Sequence, residues 1–355
     1  METRLTPPQA KGHHSVVRVA NAWYVACESR ELGTKKPIAS TVLGVPLALF
    51  RDGEGVAHAV LDRCPHRNVP LSAGRVCNGV LECSYHGWQF RGDGTNAKIP
   101  GLAKDSPASK ARNVLGFPTR ERDGLIWIWA SGESEPVGEP YVFPHAEDRE
   151  YTTVRRSLDA NASMYAVIEN TLDVPHTAFL HRGLFRGGGK TSELEAIIRH
   201  IDGGVEAEYV GEAAPSGLVG KVLARGEGTL QHFDRFLLPC IAQVEYRLGK
   251  SHMLVTSAHT PISDFHTRVY VLVTFKLPLP HWLVRPFLTP VSEHIWKQDA
   301  RILSMQRETT ERFGGEQFVN TPIDVLGPQI LRKLKEAERG DVISTEPEVR
   351  VKLSV

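Results

Sequence analysis

Four residues constrain this chain more than any others. Cys64-Pro65-His66 is followed, after sixteen intervening residues, by Cys83-Ser84-Tyr85-His86. Each half offers one thiolate and one imidazole on a tight loop, and two such loops can grip a binuclear centre from opposite sides. A [2Fe–2S] cluster takes four ligands, and in one version two histidines hold one iron and two cysteines the other. Neutral imidazoles in place of thiolates make that cluster less negative and raise its potential. The neighbours suit ligand loops. Pro65 and Pro70 stiffen the first loop, Gly74, Gly79 and Gly87 permit backbone positions that other residues resist, and Trp88 and Phe90 can shield one side. The rival is a zinc site, but zinc fingers place a cysteine pair first and a histidine pair second, whereas each half here mixes the two. Cys27, Cys77 and Cys240 have no histidine at matching spacing and read as buried small apolar residues.

Around these ligands the first third of the chain reads as β. Val45–Phe50, Val56–Val60 and Leu125–Trp129 are short β-prone runs, punctuated by the turn signals Asp52-Gly53, Asp93-Gly94 and Asp123-Gly124. Ser131–Pro144, rich in Gly, Glu and Pro, reads as a linker. A length of 355 residues allows about two domains, and we expect them at 1–145 and 146–355. In the second part, Ala160–His181 reads as helical. Ala242–Arg247, Met253–His259 and Arg268–Lys276 read as strands, and Val291–Phe313 and Val325–Arg339 as long helices. Strands and helices are segregated, so the expected class is α+β. It comprises an N-terminal all-β domain and a C-terminal α+β domain with a helix-grip-like antiparallel sheet.

Downstream lies Glu169-Asn170-Thr-Leu-Asp173-Val-Pro-His176-Thr-Ala-Phe-Leu-His181. A ferrous iron that activates O2 typically takes two histidines and one carboxylate on one face, and His176 and His181 offer the histidine pair. On a straight helix these side chains would diverge by about 140°. A break near Pro175 is therefore expected, while Asp173 and His176, three apart, share a face. The third ligand would be a carboxylate far along the chain. Asp299 is the candidate: Ile295, Ile302 and Leu303 are placed to share its face, and a carboxylate aimed at an apolar face is costly unless paired or metal-bound. Glu293 and Glu308 are the rivals.

Cys64-Pro-His-Arg67, Cys83-Ser-Tyr-His-Gly-Trp88, Trp23-Tyr-Val-Ala26 and Gly124-Leu-Ile-Trp-Ile-Trp129 together resemble the N-terminal domain of the Rieske non-haem iron oxygenases. Asn170-x-x-Asp173-x-x-His176-x-x-x-x-His181 is similar to the same family's catalytic motif. The resemblance implies a Rieske [2Fe–2S] cluster on Cys64, His66, Cys83 and His86, and mononuclear Fe(II) on His176, His181 and Asp299. Asp173 would be the aspartate that bridges His176 to His86 of a neighbouring subunit, and Asn170 would sit near the open side of the iron. It also implies a homotrimer, because cluster and iron within one subunit of such enzymes are too far apart. O2 is the oxidant. NAD(P)H acts only indirectly, through a separate ferredoxin or reductase, and no Gly-x-Gly-x-x-Gly opens a helix here to bind a nicotinamide directly. A different class, a Rieske electron carrier with a non-catalytic binding domain, remains the alternative.

Composition narrows the rest. A net charge of +1 without a basic run weighs against nucleic acid. Five cysteines do not suggest a secreted disulfide framework. Met1–Gly12 lacks the apolar stretch of a signal peptide, and Val269–Val291 is too interrupted by charges and prolines to span a membrane. The expected location is cytoplasmic. Phe275–Leu288 is unusually apolar for a connector. Read as packing it is buried; read as an entrance it admits a hydrophobic substrate from a membrane surface through a peripheral contact. The second reading leads to a sterol-like substrate for hydroxylation or oxidative demethylation. The alternative is a small methoxylated or carboxylated aromatic. Gly187-Gly-Gly-Lys-Thr191 lacks the earlier glycine of a phosphate loop and reads as a loop beside the substrate entrance.

Overall fold

The computed structural model describes residues 14–103, 105–131, 134–181, 193–212, 229–277, 281–342, 344 and 346–354, with backbone alone for 281–289. The Gly187–Thr191 stretch lies outside the described residues. Two compact units are present. Among the described residues, one comprises Ala20–Phe143 with Thr260–Ser263, and the other comprises Pro144–His259, Asp264 onward and residues 14–19. This differs from a single cut at 145. Residues 14–19 belong with the C-terminal unit because Ser15 Oγ donates to Glu316 Oε2 at 2.5 Å and Arg18 pairs with Asp264 at 2.6 Å.

The N-terminal unit is all β. One sheet pairs β1 (Trp23–Glu28), β11 (Leu125–Trp129) and β10 (Thr119–Arg122). A second holds β2 (Ile38–Val42), β3 (Val45–Arg51), β4 (Ala57–Leu61) and β9 (Gly116–Phe117). A third, smaller sheet holds β5 (Arg75–Cys77), β6 (Val80–Glu82), β7 (Gln89–Phe90) and β8 (Asn96–Lys98). Two-residue turns set the registers. Asp123-Gly124, Leu43-Gly44 and Asn78-Gly79 each have φ between 50° and 79°, as tight hairpins of matching twist require. Every residue of Leu125–Trp129 is buried, which explains its unbroken apolar run.

The C-terminal unit is built on one eight-stranded sheet. Its order is β12 (Thr152–Ala160), β18 (His266–Lys276), β17 (Ser251–Ser263), β16 (Ile241–Leu248), β15 (Gln231–Leu237), β14 (Gly204–Val210), β13 (Glu193–Ile201) and β19 (Val349–Ser354). Among the described residues three helices accompany it: α1 (Met164–Thr171), α2 (His281–Arg312) and α3 (Gly327–Arg339). α1 packs on β16 and β18, α2 on β12, and α3 on β14. Val167 of α1, Leu303 and Trp296 of α2 and Leu158, Val269 and Val271 of the sheet form one apolar cluster. The class is α+β, as expected from the segregation of strands and helices.

Several boundaries moved. Ala160 closes a strand, so the helix expected from Ala160 to His181 is eight residues long. Ser163 caps it by accepting from Ala166 N, and a short 3-10 turn at Pro175–Ala178 follows with proline in its first position. α2 begins at His281, ten residues before Val291, and carries Pro286 and Pro290 within it. Each costs the helix a hydrogen bond and about 3 kcal/mol, a cost that reading from sequence takes for a stop. The apolar stretch from Phe275 is therefore not a connector throughout. Phe275 is buried at the end of β18, and the part from His281 on is helix. Among the described residues no helix is long and apolar enough to cross a membrane.

Candidate metal centres

The two ligand loops of the N-terminal unit repeat one backbone pattern. Cys64 N donates to Val69 O at 2.9 Å and Asn68 N to Cys64 O at 2.9 Å. Cys83 N donates to Trp88 O at 2.8 Å and Gly87 N to Cys83 O at 3.1 Å. The fifth residue of each loop is left-handed, with φ of 60° at Asn68 and 68° at Gly87. Asparagine and glycine tolerate that conformation best, and Asn68 is a turn residue that reading from sequence missed. The loops bring four donors together. Cys64 and Cys83 are buried in one cluster with Phe90 and Leu71. The His66 and His86 rings meet edge to face at 4.4 Å, and Trp88 stacks on His66 at 4.9 Å and 7°.

The chemistry of this donor set suits a cluster with cysteine on one iron and histidine on the other. His66 Nδ1 is buried with no hydrogen-bond partner, an arrangement that costs about 1–3 kcal/mol unless something binds the lone pair. Burial and the neighbouring His86 and Arg67 lower the His66 pKa, favouring the neutral ligating form. Burial raises the Cys64 thiol; the His66 backbone N–H opposes this and the Cys83 thiol adds to it. Iron would take the place of those thiol protons.

In the C-terminal unit the turn after α1 aims two imidazoles at one point. His176 Nε2 and His181 Nε2 are 3.3 Å apart. Asp299 reaches the same point from α2, with Oδ1 3.1 Å from His181 Nε2 and 3.7 Å from His176 Nε2. One ligand atom from each of these three residues lies within 4.8 Å of the others. His181 is 2% exposed and Asp299 8%. Asp299 Oδ1 is buried without a hydrogen bond of good geometry, although it faces two ring nitrogens. A divalent cation would satisfy all three atoms. The rivals face solvent: Glu293 pairs with Lys297 at 2.9 Å, and Glu308 is exposed. Ile302 is also exposed, at 42%, so the apolar face beside Asp299 is narrower than expected and rests on Leu303.

Each imidazole is held from behind. Asp173 Oδ2 accepts from His176 N at 3.0 Å and sits 3.1 Å from His176 Nδ1. Gln298 Oε1 sits 2.8 Å from His181 Nδ1. Acceptors on both Nδ1 atoms place the ring protons there and leave both Nε2 lone pairs for metal. Gln298 had no assigned role in the sequence; its position beside the Asp299 carboxylate was the available signal. Burial lowers the His181 pKa, but Asp299 and Gln298 outweigh it and the net shift is upward, so a metal must compete with a proton there. Asn170 lies half-buried in the last turn of α1. The remaining cysteines differ. Cys27 and Cys240 are buried, and burial pushes each thiol up to about 12. Cys77 is only half-buried, against expectation.

Two cysteine–histidine loops in one unit and a two-histidine, one-carboxylate face in the other match the donor sets that a two-centre non-haem iron protein uses. Residues 22–116 match the Rieske [2Fe-2S] domain, and residues 160–339 match the vanillate O-demethylase oxygenase C-terminal domain. The oxygenase component of dicamba O-demethylase from Stenotrophomonas maltophilia is 37% identical over 59% of this chain and 61% of its own. Chlorophyllide a oxygenase from Chlamydomonas reinhardtii is 33% identical over 47% of this chain and 25% of its own. The chain thus spans less than two thirds of the length of the curated relatives it matches. A crystal structure of dicamba monooxygenase bound to dicamba superposes with a TM-score of 0.75 at 26% identity, covering 91% of this chain and 98% of that one. This chain belongs to the Rieske non-haem iron oxygenases. The sterol-like lead finds no support in these relatives.

Proposed function

We propose that this chain is an oxygenase component that takes electrons from a separate ferredoxin or reductase and uses O2 to demethylate or hydroxylate a small aromatic substrate. Cys64, His66, Cys83 and His86 would hold the [2Fe–2S] cluster, and His176, His181 and Asp299 the ferrous iron. Bound there, the two groups supply one-electron transfer and a site for O2. The observation that carries the reading is the convergence of His176, His181 and Asp299, with both Nδ1 atoms engaged from behind. The chain's own residues do the rest. Asp173 and Gln298 orient the imidazoles, and burial around His181 and Asp299 keeps water from competing. His86 is exposed on its loop, which suits the homotrimeric arrangement in which Asp173 meets a neighbouring subunit's His86. An aromatic ether or alkylamine is the preferred substrate class because the dicamba relative is named as an O-demethylase.

Iron and acid-labile sulfide analysis of the purified protein tests the metal assignment. About three irons to two sulfides per chain is the expected ratio. Two to two would refute the mononuclear site and favour the electron carrier, and colourless protein would refute both centres. Turnover with a surrogate reductase and NADH, on a panel of methoxylated, N-alkylated and carboxylated aromatics, then tests the reaction. Formaldehyde and a demethylated product are expected. NADH oxidation with no product from fully loaded protein would overturn the substrate class.

A further inference from the structure

One half-buried carboxyl group near the candidate metal centre has no role in the scheme above. Glu169 lies one helical turn before Asp173, and the turn persists past the end of α1, with Leu172 N bonding to Glu169 O at 3.2 Å and Asp173 N to Asn170 O at 3.4 Å. The two carboxyl groups therefore share a face. Both line a cavity of about 10 Å³, room for one water, together with Asp324, Tyr209, Val325 and Gly327. Among the described residues the Glu169 carboxyl makes no hydrogen bond and no ion pair. It packs against the start of α3, where only a glycine fits easily: a Cβ on Gly327 would lie 3.1 Å from Glu169 Cγ and 3.5 Å from Tyr165 Oη.

Such a carboxyl group is in an unusual position. Burial, then Asp173 and Asp324, push its pKa up to about 7, with His176 opposing. The other groups facing it are the phenols Tyr165, on its own helix, and Tyr209, on β14. Burial raises both, so they stay neutral near pH 7. Among the described residues no lysine or arginine is a cause of the Glu169 shift.

We propose that Glu169 is the positioning residue that manages the proton next to Asp173. The inference rests on the proposed oxygenase activity. That reaction consumes two electrons from the reductase and two protons for each O2: one oxygen atom enters the substrate and the other leaves as water. The protons must reach a buried site. Protonated at its carboxyl, Glu169 presents no negative charge to Asp173, which then serves His176 without like-charge repulsion. Deprotonated, it adds a second anion beside Asp173 and loosens that hold. One of the two protons passes from the Glu169 carboxyl, through a water that the cavity has room to hold, and ends in the released water; solvent replaces it.

The variants Glu169→Gln and Glu169→Asp test this in the full chain. Infrared difference spectra of the metal-free protein, between about pH 6 and about pH 8, should show the carbonyl band of a protonated carboxyl. That band should vanish in Glu169→Gln. In loaded enzyme, wild-type kcat should fall as pH rises and Glu169 loses its proton. Glu169→Gln should lack that limb and lose about tenfold or more in kcat, with peroxide released per NADH oxidised rising. Glu169→Asp should restore a pH-dependent limb. An unchanged band, or an unchanged pH profile in Glu169→Gln, overturns the proposal. A variant that only lowers the melting temperature would point to packing and would equally overturn it. Should wild type turn over no substrate while the band is present and lost in Glu169→Gln, the assigned activity fails but the proton on Glu169 stands.

Discussion

Removing the acceptor behind His181 should release the mononuclear iron without unfolding the protein. Gln298 Oε1 is 2.8 Å from His181 Nδ1, and the imidazole is 2% exposed, so bulk water cannot substitute freely. Gln298→Leu keeps roughly the same volume and deletes the acceptor. A buried donor that loses its partner costs about 1–3 kcal/mol. Loss of an outer partner of a ligating histidine weakens metal binding about 10- to 100-fold, or about 1.4–2.8 kcal/mol. The two estimates agree, so ferrous affinity should fall by at least about tenfold. Gln298→Glu retains an acceptor and should fall far less. The assay is ferrous-iron titration of chelator-treated protein, with the visible absorption of the [2Fe–2S] cluster as an internal check that the N-terminal unit is intact. Binding by Gln298→Leu within about twofold of wild type would refute the reasoning that an acceptor on Nδ1 sets the ligating nitrogen.

Three further outcomes are expected. Glu245 is 3% exposed; against burial, contacts from His252, Arg235 and Arg247 lower its pKa to about 2. Because the folded value is depressed, its stabilisation is fully present above about pH 4.5 and lost as pH falls through about 2. Glu245→Gln should therefore lose on the order of 3 kcal/mol at neutral pH, with the gap closing in acid denaturation curves; a gap that stays constant with pH would contradict this. Gly87→Ala places a Cβ at φ of +68° and 3.2 Å from Pro100 Cγ, costing about 1–2 kcal/mol in the left-handed position alone. Its cluster absorption should bleach at a lower temperature than that of Asn68→Gly, and equal midpoints would show that loop conformation is not limiting. Alkylation of loaded protein, mapped by mass, should modify Cys77 and spare Cys27 and Cys240, whose thiols burial holds near 12; rapid labelling of Cys240 would show that its enclosure opens.

The candidate ligands are legible in the chain where chemistry is local. Cys64 and His66, or Cys83 and His86, sit within one loop each, and a loop that must present two donors leaves its mark in spacing and in flanking proline and glycine. The same holds for Asp173, His176 and His181, whose mutual distances are set by one broken helical turn. The α+β class was legible too, because apolar alternation and helical periodicity occupy separate stretches.

Long-range pairing decided the rest. That Asp299 and not Glu293 meets His181 depends on which side of α2 lies against the sheet, and one helical residue turns that choice by about 100°. Gln298 acquired meaning only when the chain brought it to an imidazole 117 residues earlier. Strands such as Gln231–Leu237 escaped notice because their buried positions include His232 and Asp234, a pair whose charges satisfy each other and so break the apolar alternation by which strands are recognised. Glu169 shows the same physics at the site itself. Its sequence position announces a helical surface carboxylate, whereas packing against Gly327 leaves it half-buried, and burial with the charges of Asp173 and Asp324 pushes its pKa up to about 7. Local spacing determines which atoms can bind a metal together, but only burial and the partners that folding brings in determine their charge, tautomer and direction.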